Sequence, residues 1–272
     1  MKKLKIILSA FSGLIIYSAL TISTQYFTDN HTLAYLIADL VFAVLGGLYT
    51  TVVLGPADTD RKMILSKKFL LAALGIVLFY CFVSMFTSNA LIQTFYGDSM
   101  QQTEQGTEPV ILALITNVLA APMAEELIFR GCMYRFLSGL DKKAALILSS
   151  AIFAVWHGTF IHLYAAFFGG LIFCCIYEKT KSIKYPIFAH MLFNGFTLII
   201  GCAEYPHFVL EPWWLITLNS MLITMLILLY RMSGECKITS VKTAPFTPEQ
   251  QAERKKTAEI VDSVMSEHKS RH

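Results

Sequence analysis

The chain has 272 residues, 55% hydrophobic and only 15% charged, with a mean hydropathy of +0.56, whereas a water-soluble domain is typically about 45–50% apolar and about 25% charged. That balance excludes an ordinary soluble globular domain and points to a chain whose solvent is the lipid bilayer. The net charge of +3 is gathered in short connections and the C-terminal segment, so it reads as a topological signal and not as a nucleic-acid footprint.

The chain opens with Met1-Lys2-Lys3-Leu4-Lys5, followed by an apolar run from Ile6 to Phe27. A bilayer needs about 20 apolar residues. No small-x-small cleavage pattern closes the run, so it reads as a retained first span and not as a signal peptide. Further spans are expected over Leu33 to Leu54, Phe69 to Ile92, Pro109 to Leu137, Ala144 to His157, His162 to Tyr177, Pro186 to Gly201 and Trp213 to Tyr230. The fifth, sixth and seventh are short for a bilayer and are expected to be sheltered by their neighbours. Trp213 and Trp214 suit an interfacial belt.

After span eight the chain turns polar, with Pro245 and Pro248 ahead of a charged stretch from Glu249 to His268. The expected organisation is a transmembrane helical domain over 1–232, with a motif-bearing core at 109–201, and a polar cytoplasmic tail over 233–272.

The connections sort by charge. Lys2, Lys3 and Lys5 precede span one, and Arg61, Lys62, Lys67 and Lys68 lie between spans two and three. Arg135, Lys142 and Lys143 follow span four, and Lys179, Lys181 and Lys184 follow span six. The alternate connections (Thr28 to Thr32, Gln93 to Glu108, Gly158 to Ile161, Cys202 to Pro212) contain no Lys or Arg. An eight-span chain with both termini cytoplasmic satisfies the positive-inside rule throughout, and deleting any one span breaks the alternation. The fold class is therefore all-α: a polytopic membrane protein of about eight transmembrane helices, whose basic connections and lack of an organellar signal fit a bacterial plasma membrane. The six cysteines, mostly within apolar runs, show no metal spacing and no disulfide framework.

Charged side chains within a span cost about 2.5–3.5 kcal/mol each even on the lenient insertion scale, so they need partners and usually have a purpose. Span four holds Ala121-Pro122-Met123-Ala124-Glu125-Glu126-Leu127-Ile128-Phe129-Arg130. Glu126 and Arg130 share one helical face and suit an ion pair, while Glu125, turned about 100° away, is left free for general base or acid work. Pro122 lacks an amide proton and should loosen the helix one turn earlier. Phe153-Ala154-Val155-Trp156-His157 ends in a histidine that is compatible with catalysis or with a structural hydrogen bond. His190-Met191-Leu192-Phe193-Asn194 sets an imidazole and a carboxamide on one face, able to donate two hydrogen bonds to an oxyanion or to link helices. Asp39 is an intramembrane carboxylate without an evident sequence partner.

Together the Glu-Glu-x-x-x-Arg stretch at 125–130, Phe-x-x-x-His at 153–157 and His-x-x-x-Asn at 190–194 resemble the three signature motifs of the CPBP intramembrane protease family. That family includes the type II CAAX prenyl endopeptidases and the bacterial Abi proteins linked to bacteriocin processing and immunity. The resemblance covers roughly Pro109 to Gly201. It implies an eight-helix fold, peptide-bond hydrolysis within the membrane and a cavity reached from the cytoplasmic side. It implies that Glu125 and His157 activate the attacking water, that His190 and Asn194 stabilise the oxyanion, and that Glu126 and Arg130 support them.

No cofactor is expected. The alternative is zinc held by Glu125, His157 and His190 with water in the fourth position, although the helical His-Glu-x-x-His pattern is absent. The partners implied are the bilayer and a peptide or membrane-protein substrate, with a bacteriocin or signalling-peptide precursor favoured over a prenylated one in a bacterium. Two other functions compete: a catalytically idle scaffold regulating a partner such as a sensor kinase or peptide exporter, and a proton-coupled transporter, which no pair of Gly/Pro-broken spans supports. One geometric difficulty is visible. At about 1.5 Å per helical residue from the basic span ends, His190 lies roughly 9 Å deep, Glu125 roughly 18 Å and His157 roughly 21 Å, so convergence requires tilt or the Pro122 kink.

Overall fold

The structure is a computed structural model that describes residues 2–49, 67–96, 109–158, 160–201 and 211–232. These residues form eight helical elements: α1 (Lys2–Gln25), α2 (His31–Leu48), α3 (Lys67–Tyr96), α4 (110–137), α5 (Lys142–Trp156), α6 (Phe160–Thr180), α7 (Lys184–Gly201) and α8 (Pro212–Arg231). Each segment read as a span from hydropathy is thus a helix. Residues 50–54 of the second expected span, and the polar tail 233–272, lie outside the described residues.

Six helices are long and apolar enough to cross a membrane, namely Ile6–Gln25, His31–Leu48, Lys67–Phe95, Ile111–Leu137, His162–Thr180 and Pro212–Arg231. The two that fall short are α5, with 15 residues, and α7, with 18. Both carry motif residues, and both pack against α6, which shelters them from lipid. The protein is a polytopic, all-α membrane protein.

Helix starts are written in the sequence. The Asn30 side chain accepts the Leu33 amide at 2.9 Å, and Asp141 accepts that of Ala144 at 2.6 Å, so each occupies an otherwise unpaired donor of the first turn. Apolar packing forms two clusters that meet along α6. Ala166, Cys174 and Tyr177 join α1, α2, α4 and α5, whereas Ile172, Phe173, Cys175 and Ile176 join α3, α7 and α8. A helix apolar on every side is buried on every side, and 56% of the α6 span is buried against 11% for α8. Two adjacent glycines let α6 come this close. A Cβ on Gly170 would lie 2.9 Å from Ser150 Cβ of α5, and one on Gly169 would lie 2.9 Å from the Tyr80 hydroxyl of α3.

Candidate active site

The site is built on an irregular helix. α4 begins as α-helix (Val110–Ala113), widens to a π-helix over Leu114–Ala120, returns to α over Ala121–Glu126 and widens again over Leu127–Tyr134. π segments of this kind recur at functional sites. Within the first, the Ala121 amide donates to the Thr116 carbonyl five residues back. In that register the Asn117 carbonyl would next take the amide of residue 122, but Pro122 has none. Asn194 Nδ2 of α7 donates to this freed carbonyl at 2.8 Å. The loosening expected around Pro122 is therefore present, and it is what anchors the carboxamide.

One turn on, the buried Glu126 and Arg130 pair at 2.8 Å, as the sequence spacing implied. Arg130 also donates to the Gly170 carbonyl at 3.0 Å, and its guanidinium lies 4.6 Å from the Phe153 ring centroid and 5.5 Å from that of Phe173. The same Glu126 Oε1 lies 3.0 Å from His190 Nδ1. A carboxylate engaged with Arg130 can only accept, so His190 Nδ1 carries a proton and its Nε2 is the variable atom. That Nε2 lies 3.8 Å from Glu125 Oε2. The imidazole is held in plane by Phe173, stacked at 4.7 Å, with Phe153 edge-on at 5.8 Å. Glu126 is thus more than a counter-ion for Arg130, because it also orients the histidine, a role that spacing along one helix could not reveal.

His157 caps α5. Gly158, with φ +71°, adopts the left-handed conformation that ends the helix, and the ring turns back so that Nδ1 lies 2.8 Å from the Phe153 carbonyl. A carbonyl only accepts, so Nδ1 is the protonated nitrogen and Nε2 keeps its lone pair.

Glu125, His157, His190 and Asn194 line one cavity of about 480 Å³, together with Asn117, Ser84, Asn89 and His162. The differences in depth estimated along the helices do not keep Glu125 and His190 apart. Glu125, Ala121 and Asn117 also border a second cavity of about 660 Å³ between α1, α2 and α4. Asp39 lines this one, and its partner is Tyr17 of α1, whose hydroxyl donates to it at 2.6 Å. Glu178, at the far end of α6, accepts from Tyr134 at 2.8 Å and Lys142 at 3.0 Å and also pairs with Lys181.

Among the described residues no three His, Cys, Asp or Glu side chains form a group that could hold a metal ion. Glu125, His157 and His190 line one cavity without converging on one point, and with both Nδ1 atoms hydrogen-bonded to the protein the two Nε2 atoms are the ring nitrogens left for chemistry.

Residues 107–196, which contain all seven motif residues, match the family described as Type II CAAX prenyl endopeptidase Rce1-like. The chain is 30% identical over 215 residues to the membrane-embedded CAAX protease MroQ of Staphylococcus aureus, covering 71% of this chain and 84% of that protein. It is 35% identical over 101 residues to the putative membrane peptidase YdiL of Bacillus subtilis, covering 34% and 38% respectively. No solved structure matches. With three polar motifs gathered at one cavity in a helical membrane core, and with a bacterial relative matched over most of its length, the chain belongs to the Rce1-like family of CAAX-type membrane proteases.

Proposed function

We propose that the protein is an intramembrane endopeptidase in which Glu125 and His157 activate a water molecule and His190 and Asn194 stabilise the oxyanion. What supports this reading above all is that these four side chains, from α4, the end of α5 and α7, line a single cavity. A base, a basic imidazole nitrogen and two donors around one space are what peptide hydrolysis requires.

In the proposed step the Glu125 carboxylate takes one proton from water while the oxygen attacks the carbonyl carbon of the scissile bond. His157 Nε2, the lone-pair nitrogen, accepts a hydrogen bond from the same water and aligns it. The oxyanion receives hydrogen bonds from Asn194 Nδ2 and from His190 Nε2, which must then carry a proton, with Nδ1–H held by Glu126. Collapse breaks the C–N bond, and the proton on Glu125 passes to the departing nitrogen, which restores the Glu125 carboxylate and leaves a carboxylic acid, which gives its proton to water, and an amine. The substrate in this reading is a peptide or a membrane-associated protein, with a bacteriocin or signalling-peptide precursor as the favoured class.

The test is Glu125→Ala, read by comparing the membrane peptidome of cells carrying either form. Losing a general base costs about 10²–10⁴-fold in rate, so specific cleavage products should vanish while insertion and abundance stay normal. If Glu125→Ala and His157→Ala both preserve the products and the cellular phenotype, the chain acts as a scaffold and the hydrolytic reading is wrong.

A further inference from the structure

The cavity has a direction. Its deepest lining residues, Tyr80 and Phe173, are at most 1% exposed, and His190 is 3% exposed. From that floor the walls climb toward the later part of α3 (Ser88, Ile92), the end of α7 (Thr197, Ile200) and the start of α6 (His162), where residues become partly or fully exposed. On the other side of the floor the protein is closed. Arg130, Met133, Tyr134 and Cys174 are at most 1% exposed, and beyond them Glu178 is pinned by Lys142 and Lys181.

The second cavity extends the same way, from Glu125 and Asp39 to Gln25 and Thr32 beside the α1–α2 turn. On its wall the Thr116 hydroxyl, in a residue 4% exposed, makes no hydrogen bond among the described residues, which marks a place where water or a substrate polar group completes it. A cleft of about 280 Å³ does occur at the opposite ends of α3, α6 and α7, but its lining is apolar and contains none of the motif residues.

The ends toward which both polar cavities rise are joined by connections without a single Lys or Arg, which instead carry Asp29, Asp98, Glu104, Glu108, Glu204 and Glu211. The closed ends adjoin the basic connections, which the positive-inside bias assigns to the cytoplasm. We infer that the catalytic cavity opens on the extracytoplasmic face, so that its substrates are peptides or protein segments presented from outside the cell or from the outer half of the bilayer. This rests on the protease reading for the word substrate, but the direction of opening does not depend on it. It reverses the cytoplasmic entry implied by family resemblance: a site can keep its motifs while the whole bundle is inserted the other way up, because orientation follows the charge of the connections and not the chemistry of the core.

The experiment uses the full chain with Cys202→Ser and Cys236→Ser, leaving the buried native cysteines in place. Single variants Ser88→Cys and Thr197→Cys report the cavity wall, and Lys143→Cys reports the basic side. Each is treated with a membrane-impermeant maleimide in right-side-out and in inverted membrane vesicles. The cavity positions should be modified in right-side-out vesicles with loss of labelling in inverted ones, and Lys143→Cys should behave oppositely. Labelling of Ser88→Cys and Thr197→Cys only from the Lys143 side, from both sides, or from neither while Lys143→Cys labels normally overturns the inference. A pool of polar, impermeant fluorogenic peptides added to the same vesicles separates the two claims. Cleavage confined to inverted vesicles overturns the direction, whereas labelling as expected with no cleavage anywhere counts against the protease reading alone.

Discussion

Arg130 is fully buried, paired with Glu126, bonded to a backbone carbonyl of α6 and lying against two aromatic rings. Removing one member of a buried ion pair strands the other and costs about 3–5 kcal/mol. Arg130→Ala should therefore lower thermal stability by about that amount in detergent-solubilised protein. Arg130→Lys should recover little of the loss, because an ammonium cannot reach Glu126 and the Gly170 carbonyl at once or lie flat against Phe153. Asp39 makes a milder case. Tyr17→Phe removes the hydroxyl at 2.6 Å, and leaving a buried acceptor unpaired costs about 1–3 kcal/mol. A loss of unfolding free energy of that size, read as a lowered thermal midpoint, is expected, and an unchanged midpoint would mean that the hydroxyl contributes nothing net. Sequence alone identified Asp39 as anomalous but could not name Tyr17, because the two meet only through the packing of α1 on α2.

α4 shows how a helix can be bent to chemistry without being broken. Its first π segment and Pro122 together free the Asn117 carbonyl, which Asn194 then occupies. Pro122→Ala restores an amide proton that can compete for this carbonyl. The expected result is a fall in cleavage rate with little change in thermal midpoint, whereas a rate equal to wild type would show that the carboxamide is held by other means. Hydropathy revealed the helix and the proline suggested a disturbance, but the π register depends on the neighbouring packing. α6 depends on close approach. Gly170→Ala would set a methyl group 2.9 Å from Ser150 Cβ and 3.0 Å from its Cα, and overpacking of this sort costs about 1–3 kcal/mol. That loss should be visible in a thermal unfolding scan, with the Arg130 contact to the same residue weakened alongside.

Across the molecule, the described residues form eight helical elements, and six of these are long and apolar enough to span a membrane. Either count is even, so we expect both termini on one side, and by the positive-inside bias of the basic connections we expect that side to be the cytoplasm. A green fluorescent protein fused after His272 should fluoresce, and alkaline phosphatase at the same point should stay inactive. Active phosphatase would invert the bundle and turn the cavity mouth inward. The helix number, the charge alternation and the ion pair of span four were legible because each is local, set by lengths of apolar chain and by spacing along one helix. The fifth, sixth and seventh spans all read as short in the sequence; α5 is short, with 15 residues, but α6 runs over 21 and is long enough to cross a membrane.

Reading residues in order was enough to single out Glu125, Glu126, Arg130, His157, His190 and Asn194, because charge and hydrogen-bonding capacity within apolar runs are expensive wherever the run folds. It could not show that Glu126 orients His190, that a backbone carbonyl of α4 receives Asn194, or that the shared cavity rises away from the basic connections. Those features are contacts between segments far apart in the chain, set by how helices of different length and stagger pack around α6. Position along a helix states depth along one axis, and convergence needs the other two.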